Sequence, residues 1–343
     1  MKKVKIGIIG LGIGKWHLES FLKTKGAEVV ALCDADQNRL KTLADESKIV
    51  RRYQDIGAIL SDKDIDAVSV CLPNFLHAEV AVAALKKGKH VLCEKPLADS
   101  LFNAQKIVKA ARKAKKKCMV AMKFRFTPEA HYISELLKKG ELGEVYYGYT
   151  HYLRPPEGIP SGAGNWFIQK KKSGGGALID NGVHLLDLNW YLMGCPKPVY
   201  AFGSTYAKFG PEIEAIKDSF NVEDFGCGLI KFANGATIYL DNAWASMVGE
   251  TIIGLRICGT KGGATMWPFS VVKPNSGKVK AEIPDLSNHK YQTQFEHFVE
   301  SIIQDYQPLS PAEQGLDVLK MLDGIYRSQK IGAAVRLASE ENL

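Results

Sequence analysis

The 343 residues are 46% hydrophobic and 24% charged, the balance of a soluble globular chain, and the length suits two domains better than one core. No apolar run approaches the roughly 18 residues needed to cross a bilayer, which excludes a membrane-spanning helix and leaves no membrane partner. The formal net charge of +8 and lysine clusters at 86–89, 112–117 and 170–172 raise nucleic-acid binding, but the first two clusters fall at the ends of expected helices, where cations complement the dipole, and no aromatic residues interleave with them, so no nucleic-acid partner is expected.

The basic start and short apolar stretch of residues 1–9 imitate a signal peptide, but no Ala-x-Ala site follows and the segment reads as mature sequence. Residues 4–9 form a short apolar run rich in β-branched residues. They run into Gly10, Gly12, Ile13 and Gly14 before a helical pattern over residues 15–22. A buried strand, a tight glycine turn and a helix N-terminus form the arrangement that cradles a pyrophosphate on backbone N–H groups. The last glycine comes one residue earlier than in the generic Gly-x-Gly-x-x-Gly, so the motif alone is weak. Support comes from a second strand over residues 29–33. It ends in Asp34, at the distance expected of the acid that hydrogen-bonds an adenosine ribose. A carboxylate there repels a 2′-phosphate, and Ala35 follows where an NADP-binding chain could place Arg. NAD is therefore favoured over NADP, with Arg39 the residue that speaks against it. Alternatively, Asp34 caps the helix that begins near Asp36.

Strand-like runs recur at residues 67–71, 90–93 and 118–121, separated by helical patterns at 78–87 and 101–115, which implies a parallel, doubly wound sheet. Ligands bind such sheets at the carboxyl ends of the strands. Two of those ends carry unusual chemistry: Leu72, Pro73 and Asn74 with His77, and Glu94, Lys95 and Pro96. A lysine leaving a buried strand is placed to hold a substrate hydroxyl and the nicotinamide ribose; the alternative is a Glu94–Lys95 ion pair that braces the loop.

Residues 144–153 alternate as a half-buried strand does, and the following loop over residues 154–166 is long enough for a lid or a substrate rim. Trp166 stacks on a cofactor or sugar face, or else anchors a core. In residues 173–187, three glycines lead into an apolar helical pattern through Leu178, Ile179, Val183, Leu186 and Trp190, stopping at Gly194. Asp180 and His184 are four apart and share a face, with Asp187 a further turn along. An acid and an imidazole beside glycines that permit close approach form a candidate reaction site; the alternative is a solvated polar face with a packed imidazole. Strands are expected at 199–206, 225–232, 237–244 and 252–258, with an Asn234-Gly235 hairpin, forming an antiparallel sheet with helices on one face. Closing helices at 291–304 and 311–328 pack on either domain. The seven cysteines include no Cys-x-x-Cys pair and read as reduced residues of a cytoplasmic protein.

In combination, Gly10-x-Gly12-x-Gly14 with His17, Asp34, the run from Cys71 to His77, Glu94-Lys95-Pro96, Arg125-Phe126 and the stretch from Gly174 through Asp180 to His184 resemble the Gfo/Idh/MocA family of glucose-fructose oxidoreductase and inositol dehydrogenase relatives. The resemblance covers nearly the whole chain. It implies an α/β plus α+β architecture: an NAD-binding Rossmann domain over residues 1–123, then a substrate-binding and oligomerisation domain over residues 124–343 with a large, mainly antiparallel, open-faced sheet that builds homodimers or homotetramers. It also implies a cis bond before Pro96. Lys95, Asp180 and His184 are the expected catalytic set. Gly10, Gly12, Ile13, Gly14, Asp34, Arg39, Leu72, Pro73, Asn74, His77, Glu94 and Lys95 are expected at the cofactor, and Arg125, Trp166, Asp180 and His184 at the substrate. The implied activity is oxidation of a secondary hydroxyl of a sugar, sugar derivative or cyclitol with NAD, His184 acting as base. A keto-sugar reductase, an internally NAD-cycling enzyme and a non-catalytic sugar-sensing regulator are the alternatives. Metal ligation by Asp180, His184 and Asp187 is not expected, because nothing nearby adds a softer ligand.

Overall fold

In the computed structural model, which describes residues 3–160, 165–275 and 278–337, the chain divides into two units: Met1–Met122 with Gln292–Leu316, and Lys123–Tyr291 with Asp317–Leu343. The first alternates strands and helices as β1 (Val4–Ile9), α1 (Gly14–Lys23), β2 (Ala27–Cys33), α2 (Gln37–Glu46), β3 (Arg51–Tyr53), α3 (Ile56–Ser61), β4 (Ala67–Val70), α4 (Asn74–Lys86), β5 (His90–Cys93), α5 (Leu101–Ala114) and β6 (Cys118–Val120). All six strands are parallel, in the order β3-β2-β1-β4-β5-β6. Ile6, Ile8, Ile9, Val68, Val70, Val91 and Leu92 have no exposed surface, as a sheet covered on both faces requires. The order reverses between β1 and β4, which opens a crevice at their carboxyl ends.

Neither β3 nor α3 was among the elements expected from the sequence. β3 is three residues long and carries two exposed arginines, so it has no apolar alternation to read. The helix Gln294–Ile303 also belongs to this unit. It starts on a capping box made by Thr293 and Glu296, and it sets Phe295 against Phe21 and Trp16 at ring separations of 4.9 and 5.0 Å.

The second unit contains α6 (Pro128–Lys138), β7 (Val145–Leu153), the single turn α7 (Lys170–Ser173), α8 (Val183–Leu192), and strands β8 (Pro198–Tyr206), β9 (Phe225–Phe232), β10 (Thr237–Ala243), β11 (Ile252–Gly259), β12 (Gly263–Met266), β13 (Ser270–Asn275), β14 (Lys278–Glu282) and β15 (Val335–Arg336). The sheet order is β14-β13-β12-β11-β7-β10-β9-β8-β15, antiparallel except where β7 runs parallel to β10. α8 is buried all round apart from the half-exposed Tyr191. It lies close enough to β7 for the Asn189 amide to donate to the Tyr149 carbonyl at 3.1 Å, and a Cβ on Gly148 would meet Asn189 at 2.2 Å. Tyr146, Tyr200, Phe202 and Leu229 on the same sheet are exposed. Among the described residues all seven cysteines are free, and no helix is long and apolar enough to cross a membrane.

Candidate active site

In the first unit the glycine turn leaves β1 at the crevice. Gly10 has φ +85°, and a Cβ there would lie 2.4 Å from the Cys71 carbonyl oxygen, so only glycine fits. Gly12 has open space where a Cβ would stand, and Ile13, half of it exposed, caps α1. These are the features a pyrophosphate cradle needs: close backbone approach, an open face and a helix N-terminus. Asp34 is buried. Its Oδ2 accepts from the Leu11 N–H at 2.6 Å and its Oδ1 from the Asp36 N–H at 2.8 Å, so it ties β2 to the glycine turn. The cap of α2 is Asp36, which accepts from Asn38 and Arg39; Asp34 is therefore not the helix cap. Arg39 reaches Asp34 at 3.4 Å and Asp36 at 3.3 Å from an exposed position.

Leu72 and Pro73 follow β4, and the buried Asn74 opens α4. His77, expected at the cofactor, is wholly buried instead: its Nδ1 lies 2.8 Å from the Pro96 carbonyl and its Nε2 2.7 Å from the Leu72 carbonyl. It joins the two strand-end loops from beneath. Burial lowers its pKa against the pull of both carbonyls.

The half-buried Lys95 precedes a cis bond to Pro96 at the end of β5. Glu94 braces that loop through His17 and through the Lys95 backbone. Its Oε1 meets His17 Nε2 at 2.8 Å, and its Oε2 accepts the Lys95 backbone N–H at 3.1 Å. His17 Nδ1 in turn meets Ser69 Oγ at 2.7 Å. Burial disfavours a charged His17 ring, but Cys71 and Glu94 outweigh it and raise the pKa; burial likewise opposes the Glu94 charge, and His17 overcomes it and lowers that pKa. Each of the two side chains favours the charged form of the other, and their contact fixes the backbone on which Lys95 stands.

In the second unit the expected continuous helix starts instead with a π-helical turn, Leu178–Gly182, which runs directly into α8. Four residues are slightly more than an α turn and slightly less than a π turn, so Asp180 and His184 still share a face. Asp180 Oδ2 accepts from the indole Nε1 of Trp244 at 2.9 Å. Trp244 has no exposed surface and is fixed through its backbone N–H to the Asp224 carbonyl at 2.8 Å. The His184 ring, 8% exposed, packs at 5.1 Å from Phe124, whose ring also meets Trp267 at 5.1 Å. None of Trp244, Phe124 and Trp267 was singled out in the sequence. The Trp at the end of β10 was visible only as the last residue of a strand.

The glycine run has a purpose other than admitting a ligand. A Cβ on Gly175 would meet Tyr326 Oη at 2.1 Å, and one on Gly176 would meet the Glu223 carbonyl at 1.8 Å. The buried Glu223 carboxyl accepts from Gly176 N at 2.9 Å, Leu178 N at 3.0 Å and Tyr326 Oη at 2.7 Å, supplying acceptors for the first turn's orphan N–H groups. Arg125, expected at the substrate, is fully buried. Its Nε and NH2 donate to Asp187 at 2.8 and 2.6 Å, and its guanidinium lies over Tyr191 at 4.8 Å. Burial pushes the Asp187 carboxyl up, yet the two short, parallel bonds are those of an ionised fork. Trp166 stacks on Phe167 at 3.9 Å, and Phe167 packs on the cluster around Trp244. Part of the 154–166 loop, residues 161–164, lies outside the described residues.

Residues 4–122 match the oxidoreductase family with an NAD-binding Rossmann fold, and residues 134–337 match the same family's C-terminal alpha/beta domain. The chain belongs to the Gfo/Idh/MocA family. It is therefore an oxidoreductase whose first domain is of the NAD-binding type. It is 30% identical to D-glucoside 3-dehydrogenase of Escherichia coli K12 over 349 residues, covering 97% of each chain. It is 28% identical to myo-inositol 2-dehydrogenase of Thermotoga maritima over 261 residues, 76% of this chain and 74% of that one. Among solved structures it resembles levoglucosan dehydrogenase in complex with NADH and levoglucosan, with a TM-score of 0.88 at 22% identity over 98% of this chain and 100% of that one.

Proposed function

We propose that this Gfo/Idh/MocA member oxidises a secondary hydroxyl of a sugar, sugar derivative or cyclitol with NAD. The observation that carries the proposal is the Trp244–Asp180 hydrogen bond on the turn that leads into His184, because it holds an acid in place on the face it shares with an imidazole. The glucoside and inositol dehydrogenases to which the chain is similar support the substrate class. A bound NAD would supply the acceptor for the hydride leaving the carbinol carbon. His184 accepts the hydroxyl proton, a task suited to imidazole near neutral pH. Lys95 holds and polarises the same oxygen, and Asp180 orients His184 or an adjacent hydroxyl. Asp34, held on the glycine turn, favours NAD over NADP by opposing a 2′-phosphate.

The exposed Tyr200 and Phe202 of β8 and Leu229 of β9 support self-association through the sheet as a homodimer or homotetramer. Light scattering of the wild type and of Phe202→Asp tests this.

The deciding experiment incubates the purified protein with NAD and with NADP against cyclitols, free sugars, glycosides and nucleotide sugars, following the absorbance of reduced nicotinamide. His184→Ala is expected to lose most turnover with the accepted substrate. A variant that kept most of it at neutral pH would remove His184 as the base, and cofactor binding without turnover of any compound would point to a sensing protein instead.

A further inference from the structure

The second unit gathers three potential metal ligands in a cluster of its own. His131 and Glu135 are four residues apart on α6 and so face the same way. His289 arrives from the stretch that follows β14, 158 residues further along the chain than His131. His131 Nδ1 lies 3.0 Å from His289 Nε2 and 3.7 Å from Glu135 Oε1, and one ligand atom from each residue lies within 4.8 Å of the other two. Zinc bonds of about 2.0–2.1 Å in a tetrahedral site put ligand atoms roughly 3.3–3.5 Å apart. The two separations from His131 lie within a few tenths of an ångström of that, and the Glu135–His289 separation, at most 4.8 Å, closes by rotation of the partly exposed Glu135 side chain.

We propose that His131, Glu135 and His289 bind a divalent transition-metal ion of the zinc class, with water completing its coordination. Two imidazoles and one carboxylate select zinc, cobalt or nickel over magnesium and calcium, which take all-oxygen sites. All three residues are half-buried, which leaves an entry path for the ion and its water. The His289 ring is positioned by Tyr132 at 5.7 Å, which itself meets Phe269 at 6.2 Å, so the ligand on the irregular segment is held by aromatic packing. The ion would clip the segment after β14 to α6. Its role is structural: none of its ligands belongs to the catalytic set, and the inference does not depend on the proposed reaction.

The test uses the full-length protein, freed of any affinity tag and treated with chelator. Zinc titrated by calorimetry is expected to bind at one equivalent and to raise the melting temperature, and cobalt to give the visible bands of a four- or five-coordinate site; magnesium is expected to do neither. His289→Ala and Glu135→Gln should each weaken zinc binding by more than about tenfold. The His289 ring also meets Tyr132 and His131, so the readout that separates lost ligation from lost packing is the zinc-induced rise in melting temperature over each protein's own metal-free value, which His289→Ala should lack. No zinc binding by the wild type, or undiminished binding by the His131→Ala/His289→Ala double variant, would overturn the proposal.

Discussion

Trp244 Nε1 donates to Asp180 Oδ2 at 2.9 Å, and this bond joins the buried residue that follows β10 to the π-helical turn ahead of His184. A hydrogen bond to a charged acceptor contributes about 1.5–3 kcal/mol. Trp244→Phe keeps an aromatic ring in the core but removes the donor. It is expected to lower kcat about tenfold or more with a smaller change in KM, because 1.4 kcal/mol corresponds to tenfold. Since Trp244 acts through Asp180, the Trp244→Phe/Asp180→Asn double variant should be no slower than Asp180→Asn alone. Fully additive losses would show that Trp244 acts by packing only.

The strand-helix alternation of the first unit was legible because parallel strands covered on both faces must be continuously apolar, as at Ile6, Ile8 and Ile9. The glycine turn, Asp34 and Lys95 closely follow β1, β2 and β5, so local sequence was enough to place them at strand ends. β12, β13 and β14 were missed because β12 is only four residues long, too short for its alternation to stand out, and the edge strand β14 is exposed at every described residue. Side-chain partners were harder still. Nothing local says that Asp180 meets a tryptophan 64 residues away, that His77 turns inward to two carbonyls, or that Arg125 spends its fork on Asp187. Gly175 and Gly176 were read correctly as close-approach positions, but what approaches is Tyr326 and Glu223 of the same chain.

The Arg125–Asp187 fork, with both side chains almost wholly buried, predicts an asymmetry between single and double replacements. Removing one partner leaves an uncompensated buried charge, at a cost of roughly 3–5 kcal/mol. Arg125→Met and Asp187→Leu are each expected to lower the denaturation midpoint strongly, whereas the double variant should recover much of the loss. Urea unfolding of the four proteins measures this. Near-additive losses would mean that the fork is worth no more than its separate contacts.

Asp34 has two tasks that can be separated by kinetics. It accepts the Leu11 N–H, which supports the glycine turn whichever cofactor binds, and in the proposed function its charge would oppose a 2′-phosphate. Asp34→Ala should therefore raise the KM for NAD by about tenfold or more through loss of a charge-assisted bond. It should also narrow the preference for NAD over NADP. Arg39→Ala should leave NAD kinetics nearly unchanged and weaken any residual use of NADP, since the Arg39 side chain is 46% exposed and available to a phosphate. Steady-state KM values for both cofactors in the three proteins decide the matter; an Arg39→Ala loss confined to NAD would reverse the assignment.

His90 gives the first unit a defined acid sensitivity. Its Nδ1 accepts the Lys117 backbone N–H at 3.0 Å, so the folded state needs a lone pair on that nitrogen. Burial, with Lys116 and Lys117 adding to it, lowers the pKa from 6.5 to about 4. Between those values the unfolded chain holds a proton on His90 that the folded chain refuses, so stability falls as the pH drops from 6.5 towards 4. His17 does not confuse this window: its raised folded pKa makes a contribution that is complete below 6.5 and is lost only as the pH rises through its folded value. His90→Asn keeps a side-chain acceptor but cannot titrate. Its melting temperature should decline less steeply than the wild type's between pH 6.5 and 4, and the two curves should run parallel above pH 7. Equal slopes across the acid window would show that His90 protonates as readily in the folded protein as in the unfolded chain.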